Sequence, residues 1–128
     1  MIKTIYIFGN PDLDFDSLPF RILPELKKRF PKIDFETKDP NEELEMPEEL
    51  VIIDTVKGIK QPHVFSKLSD LAGHPNISVH DFDLYSHLKL LEKLGRIKKI
   101  KIIGIPPSIS ESEAIEEVSL ILRQTAKF

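Results

Sequence analysis

Short runs of apolar residues alternate along the chain with longer segments in which apolar residues recur every three or four positions. Continuous apolar runs at 5–8, 50–53 and 100–105 predict strands that are covered on both faces, as in a parallel sheet. Residues 33–37 alternate between apolar and polar side chains, which predicts a strand nearer an edge. The segments 64–65 and 77–79 are candidates for one further strand.

Helical periodicity separates these strands. The first helix is predicted to begin near Ser17, and Pro24 within it should remove a backbone hydrogen bond and bend it. A second helix over 84–94 should end at Gly95, which suits a left-handed helix cap. The last helix is predicted to open at Ser110, because Glu113 three residues later completes a capping box.

The order of these elements predicts an α/β fold. Strands that alternate with helices are typical of a doubly wound sheet with helices on both faces. We therefore expect residues 1–128 to form one domain, a three-layer α/β/α sandwich of the phosphorylase/hydrolase-like kind with a mostly parallel sheet of about five strands. In such folds ligands gather at the carboxyl ends of the strands.

Composition limits the classes of partner. Apolar residues make up 41% of the chain and charged residues 30%, which is ordinary for a globular protein. The net charge of -3 offers no general basic field for nucleic acid or an anionic membrane. No apolar run is long enough to span a bilayer, and no signal peptide is evident, so we expect a cytoplasmic protein. Nothing in the pattern demands more than a monomer.

Carboxylates follow the first predicted strand, in the loop over residues 9–16. Gly9 and Asn10 suit a sharp turn, and three aspartates come after them at alternate positions. For Asp12 and Asp14 we prefer the interpretation of a solvated acidic loop. The loop is not a phosphate-binding loop, because the repeated glycines and the lysine of that motif are missing.

Two further polar residues stand where a strand meets the next element. Asp54 comes directly after the apolar run 50–53, where a partly buried carboxylate needs a partner or a metal, although a turn or capping role is about equally compatible with its position. His80 follows residues 77–79 and precedes a helix that Asp81 or Asp83 can cap. The other histidines, His63, His74 and His87, are interpreted as surface or packing residues.

Asp16, Asp54 and His80 together form a candidate metal site. Two carboxylates and one imidazole suit a divalent ion such as nickel or zinc, and the sequence does not choose between them. Three protein ligands leave coordination positions on the metal ion open for water or substrate, which is typical of a catalytic site. Cysteine is absent, so thiolate sites are excluded, and no Gly-x-Ser-x-Gly motif supports a serine hydrolase.

At these positions the sequence resembles the hydrogenase maturation endopeptidases. The first strand with Gly9-Asn10, then Asp16 and Arg21, is similar to the first motif of that family. Residues 50–54, which end in Asp54, resemble the second metal motif of the family. Residues 78–84, which include His80, resemble the third. The closing strand and turn at 102–107 is similar as well, so the resemblance covers most of the chain.

The resemblance implies a function. Members of the family remove the C-terminal extension from the large-subunit precursor of nickel-iron hydrogenases, after nickel has been inserted into that substrate. Asp16, Asp54 and His80 would then bind the metal and take part in catalysis, with nickel supplied by the substrate and zinc or another divalent ion as a substitute in vitro. Gly9, Asn10 and Asp39 would contact the substrate.

The sequence departs from the family pattern in the first helix, where Pro19 stands at a position that often has glycine in the family, and in one loop. Asp39 is followed by Pro40-Asn41-Glu42, where the family usually has two glycines and a threonine. Proline has a fixed φ and no amide donor, so this loop cannot approach a substrate backbone as glycines would.

Two other interpretations therefore stand beside the endopeptidase. One is a metal-sensing binding protein on the same scaffold that does not cut. The other is a receiver-like signalling module with Asp54 as its acceptor, which fits less well because His80 would have no role in it.

Overall fold

Six strands form one sheet in the computed structural model, which describes residues 4–9, 12–13, 16–38, 49–72, 78–79 and 82–125. The strands are β1 (Thr4–Ile7), β2 (Asp34–Thr37), β3 (Glu49–Lys57), β4 (His63–Phe65), β5 (Ser78–Val79) and β6 (Lys99–Ile105). Five of them lie side by side in the order β2-β1-β3-β6-β4. The first four of these are parallel, and β4 is antiparallel to β6. β5 pairs antiparallel with the end of β3.

The strands predicted from the sequence are confirmed, including the position of residues 34–37 at an edge of the sheet. Both candidate segments for a further strand are strands, β4 and β5. The predicted boundary after residue 53 is wrong, because β3 continues to Lys57. Thr55 and Val56 are β-branched and fully buried, and β5 supplies a pairing partner for the last two residues.

Four helices complete the described part of the chain: α1 (Leu18–Arg29), α2 (Ser69–Ala72), α3 (Phe82–Lys93) and α4 (Glu111–Thr125). α1 runs without interruption through Pro24, which is exposed. Gly95, at a φ of +73°, ends α3 as predicted, and the Arg96 amide donates to the carbonyl of Leu91 at 3.0 Å. At the start of α4 the Glu113 amide donates to Ser110 Oγ at 3.2 Å, half of the predicted capping box.

The helices cover both faces of the sheet, which confirms the three-layer sandwich. α1 and α4 pack on one face, where Ile53 and Ile103 point, and their buried residues include Leu26 and Leu122. α2 and α3 pack on the other face, against Ile52, Ile100 and Ile102. No helix within the described residues is long and apolar enough to cross a membrane.

Candidate functional site

The loop after β1 returns Asp16 to the end of that strand. Gly9 has a φ of +144°, and a Cβ there would lie 2.7 Å from the carbonyl oxygen of Asp16 and 3.0 Å from Cε2 of Phe20. The carboxylate oxygen Oδ1 of Asp16 is 3.4 Å from the same point. Only glycine allows this backbone conformation and this approach, so the sharp turn predicted at Gly9 is confirmed. Asp16 itself is 4% exposed.

Asp54 lies inside β3 and is 1% exposed. The backbone amide of Thr55 donates a hydrogen bond of 2.8 Å to Asp54 Oδ1, which fixes one carboxylate oxygen against its own strand. Ile52 and Val56, two residues away on either side, both belong to the core on the α3 face. Because side chains alternate along a strand, Asp54 points to that same face.

Gly104 of β6 is the neighbour of Asp54 in the sheet, and His63 of β4 follows in the same row. A Cβ at Gly104 would lie 2.6 Å from Cγ2 of Val56 and 3.0 Å from Cε2 of Phe65, so these apolar groups close the space beside Asp54. The His63 ring is exposed and meets the edge of the Phe65 ring at a centroid distance of 4.9 Å, which agrees with a surface role. The sequence carries a signal for this contact, because a glycine within a β-branched run indicates the close approach of another part of the chain.

Asp16 and Asp54 flank the point where the chain changes direction across the sheet. From β1 the chain passes through α1 to β2, over one face. From β3 it reaches β6, the neighbour on the other side of β3, by way of β4, α2, β5 and α3, and these two helices lie on the opposite face. Such a switch point leaves a crevice outside the carboxyl ends of the two strands, where α/β proteins commonly bind ligands. Asp16 lies against Gly9, directly after β1 and before α1, whereas Asp54 of β3 points to the α3 face.

The remaining predicted site residues, His80, Asn10 and Asp39, lie outside the described residues. β5 ends at Val79, the residue before His80 in the sequence, and Val79 pairs with Val56 of β3. Among the residues that the structure describes, no group of three or more histidine or acidic side chains could hold a metal ion. The described part of the predicted trio is thus a pair of buried carboxylates, whose oxygens suit a hard or borderline divalent ion.

The fold is that of the hydrogenase maturation endopeptidases, which confirms the resemblance seen in the sequence. Solved structures of such endopeptidases match nearly the whole chain, although their sequences are less than one-fifth identical to it. No family model matches the sequence, and no curated protein matches it.

Three of these structures illustrate the similarity. The hydrogenase maturating endopeptidase HybD from E. coli has a TM-score of 0.65 and 17% identity, with 97% of this chain and 94% of that chain covered. The endopeptidase HycI from Escherichia coli has a TM-score of 0.62 and 18% identity, with 98% and 92% covered. A hydrogenase 2 maturation peptidase from a Thaumarchaeota archaeon has a TM-score of 0.51 and 19% identity, with 97% and 98% covered.

Proposed function

We propose that this protein is a metal-dependent endopeptidase that removes the C-terminal extension of a nickel-iron hydrogenase large-subunit precursor after nickel insertion. The observation that supports this most is the position of two buried carboxylates, Asp16 and Asp54, at the switch point of a fold shared with such endopeptidases. The proposal implies a cytoplasmic monomer that acts on a protein substrate, without nucleic acid or membrane.

In this proposal Asp16, Asp54 and His80 bind the nickel that the precursor brings. A divalent ion held this way polarises a peptide carbonyl or a bound water. Asp54 keeps one oxygen fixed by the Thr55 amide, so its carboxylate has a defined orientation at the crevice. The burial of both aspartates keeps water away from charges that interact with the substrate, which strengthens those interactions.

The substrate backbone would be held by residues that follow the first two strands. Gly9 and Asn10 come after β1, and Asp39 comes two residues after β2 ends at Thr37. β1 and β2 are parallel neighbours, so both loops leave the sheet at the same edge as the crevice.

The test is cleavage of a purified nickel-loaded precursor, followed as a loss of mass. We expect Asp54→Asn and His80→Ala to lower the cleavage rate by about 100-fold or more, because each removes a group that binds the metal. Asp12→Asn is the matched control, since Asp12 is an exposed acid in the same loop as Asp16. Cleavage by Asp54→Asn at the wild-type rate would contradict the proposal.

The second candidate is a metal-sensing protein that binds the precursor without cutting it. The sequence Asp39-Pro40-Asn41 favours it, because proline removes an amide that could hold a substrate backbone. This candidate predicts that the nickel-loaded precursor binds, that binding is lost in His80→Ala, and that the mass of the precursor never changes. The substitution Pro40→Gly should then produce cleavage if the loop alone prevents it.

A further inference from the structure

Arg21 makes two contacts that link the turn at Asp16 to α4, a helix that is distant in the sequence but packs beside α1. Its Nε donates to Ser17 Oγ at 3.1 Å, and its Nη1 lies 3.0 Å from Glu111 Oε1 in the first turn of α4. Ser17 is 7% exposed and directly follows Asp16. The planar guanidinium can hold two acceptors in a fixed relation, which lysine cannot do.

The sequence explains why the Ser17 hydroxyl is used in this way. A serine before a helix ordinarily accepts a hydrogen bond from the amide two or three residues later. Here the residue two later is Pro19, which has no amide, and the Phe20 amide donates instead to the carbonyl oxygen of Ser17 at 3.0 Å. Ser17 makes no side-chain cap to its own helix, so its hydroxyl accepts from Arg21.

We propose that Arg21 is a positioning residue, which holds the Asp16–Ser17 turn in place through Ser17 Oγ and is itself anchored on α4 by Glu111. The carbonyl and carboxylate of Asp16 lie against Gly9 so closely that a small shift of this turn changes where the carboxylate stands. The inference rests on the proposed function, because it assigns Arg21 a role in placing one of the residues that would bind the metal.

Arg29 provides a matched control within the same pair of helices. It also joins α1 to α4, with Nη2 at 2.9 Å from Glu116 Oε1 and Nη1 at 3.4 Å from Ser119 Oγ. Arg29 lies at the opposite end of α1 from Asp16. Loss of either arginine removes an ion pair between the helices, but only the loss of Arg21 should displace the turn.

The first measurement is amide hydrogen exchange at Phe20 and Arg21, whose amides donate to the Ser17 carbonyl. We expect faster exchange at both amides in Arg21→Met and in Ser17→Ala, and no change there in Arg29→Met. In Arg21→Lys the cation can still face Glu111, so the melting temperature should return towards that of the wild type while the fast exchange remains. Equal exchange in Arg21→Met and Arg29→Met would overturn the inference.

The second measurement is the cleavage assay with the same variants. We expect kcat/KM to fall about tenfold in Arg21→Met and Arg21→Lys, because a displaced binding group is costly for catalysis, and to stay at the wild-type value in Arg29→Met. Full activity of Arg21→Met would refute the positioning role. If the wild type itself does not cleave, the proposed function fails, and the exchange measurement still decides the role of Arg21.

Discussion

At the scale of single residues, Gly104 determines how closely the α3 face of the sheet packs beside Asp54. It stands next to Asp54 in the ladder between β3 and β6. Val56 and Phe65 occupy the volume that a side chain at this position would need. Both are buried, so neither can move aside into solvent.

We expect Gly104→Ala to lower the free energy of unfolding by about 1–3 kcal/mol, the usual cost of overpacking a core. The added methyl group would meet Cγ2 of Val56 at 2.6 Å, and valine has little freedom about χ1. Urea unfolding followed by circular dichroism measures the effect.

The control for this prediction is the double variant with Val56→Ala. Shortening Val56 makes room for the methyl group, so the two substitutions together should cost less than the sum of their separate effects. Strictly additive losses would show that the contact with Val56 is not the cause.

Part of the structure around Asp16 and Asp54 could be predicted from the sequence. The contacts that could not be predicted have a physical reason. The sequence shows that Asp16 and Asp54 follow strand-like runs, because a strand pattern depends only on residues that are neighbours in the sequence. The pairing of Arg21 with Glu111 joins residues 90 positions apart, and no local pattern encodes it. The atoms that crowd Gly104 likewise come from other strands, β3 and β4, so its sequence context indicates a close approach but not the residues that make it.

At the scale of elements, α1 and α4 lie side by side and are joined by ion pairs. Arg29 contacts Glu116 and Ser119 of α4, as well as Glu25 of its own helix. The hydrogen bond from Arg29 lowers the pKa of Glu116 below its ordinary value, and the positive charge adds to this effect. The pair therefore stabilises the folded state only while Glu116 is ionised.

The sign of the pH dependence follows from that shift. Between the lowered pKa and the ordinary one the unfolded chain binds more protons, so the contribution of Glu116 is complete above the ordinary pKa and is lost as the pH falls through the lowered one. We expect Glu116→Gln to have a lower melting temperature than the wild type at pH 7, and the difference to vanish as the pH falls well below about 4.

Salt and a second substitution test the cause of this difference. Because the Glu116 side chain is 66% exposed, the difference should shrink as the ionic strength is raised. In an Arg29→Met background, most of the pH-dependent difference that Glu116→Gln causes should disappear, and the small remainder comes from Arg123, whose positive charge also lowers the pKa of Glu116. A difference that persists unchanged at low pH would show that lost packing, and not charge, is responsible.

At the scale of the whole molecule, two hydrophobic cores share one sheet. Successive residues of β3 and β6 point alternately to the α1–α4 side and to the α3 side, so each strand contributes to both cores. Leu122 belongs to the first core and Leu88 to the second, and both are almost completely buried. Neither core can lose its packing without loosening the strands that support the other.

We therefore expect Leu122→Ala and Leu88→Ala each to lower the free energy of unfolding by about 2–5 kcal/mol, and each to leave one cooperative transition. Near- and far-ultraviolet circular dichroism should give the same midpoint in both variants. Leu120→Ala is the control, because Leu120 is 48% exposed and its loss should change little. Two separate transitions in either variant would indicate cores that unfold independently.

The length of β3 has a consequence for how the chain around Asp54 can move. This strand is paired with β6 as far as Thr55, and its last two residues are paired with β5. The residues before and after Asp54 in β3 are therefore paired with neighbouring strands. A shift of the Asp54 backbone would break hydrogen bonds to β6 or to β5. Motion at this end of the sheet should therefore come from the segments that approach β3, while the backbone of Asp54 stays in place relative to them.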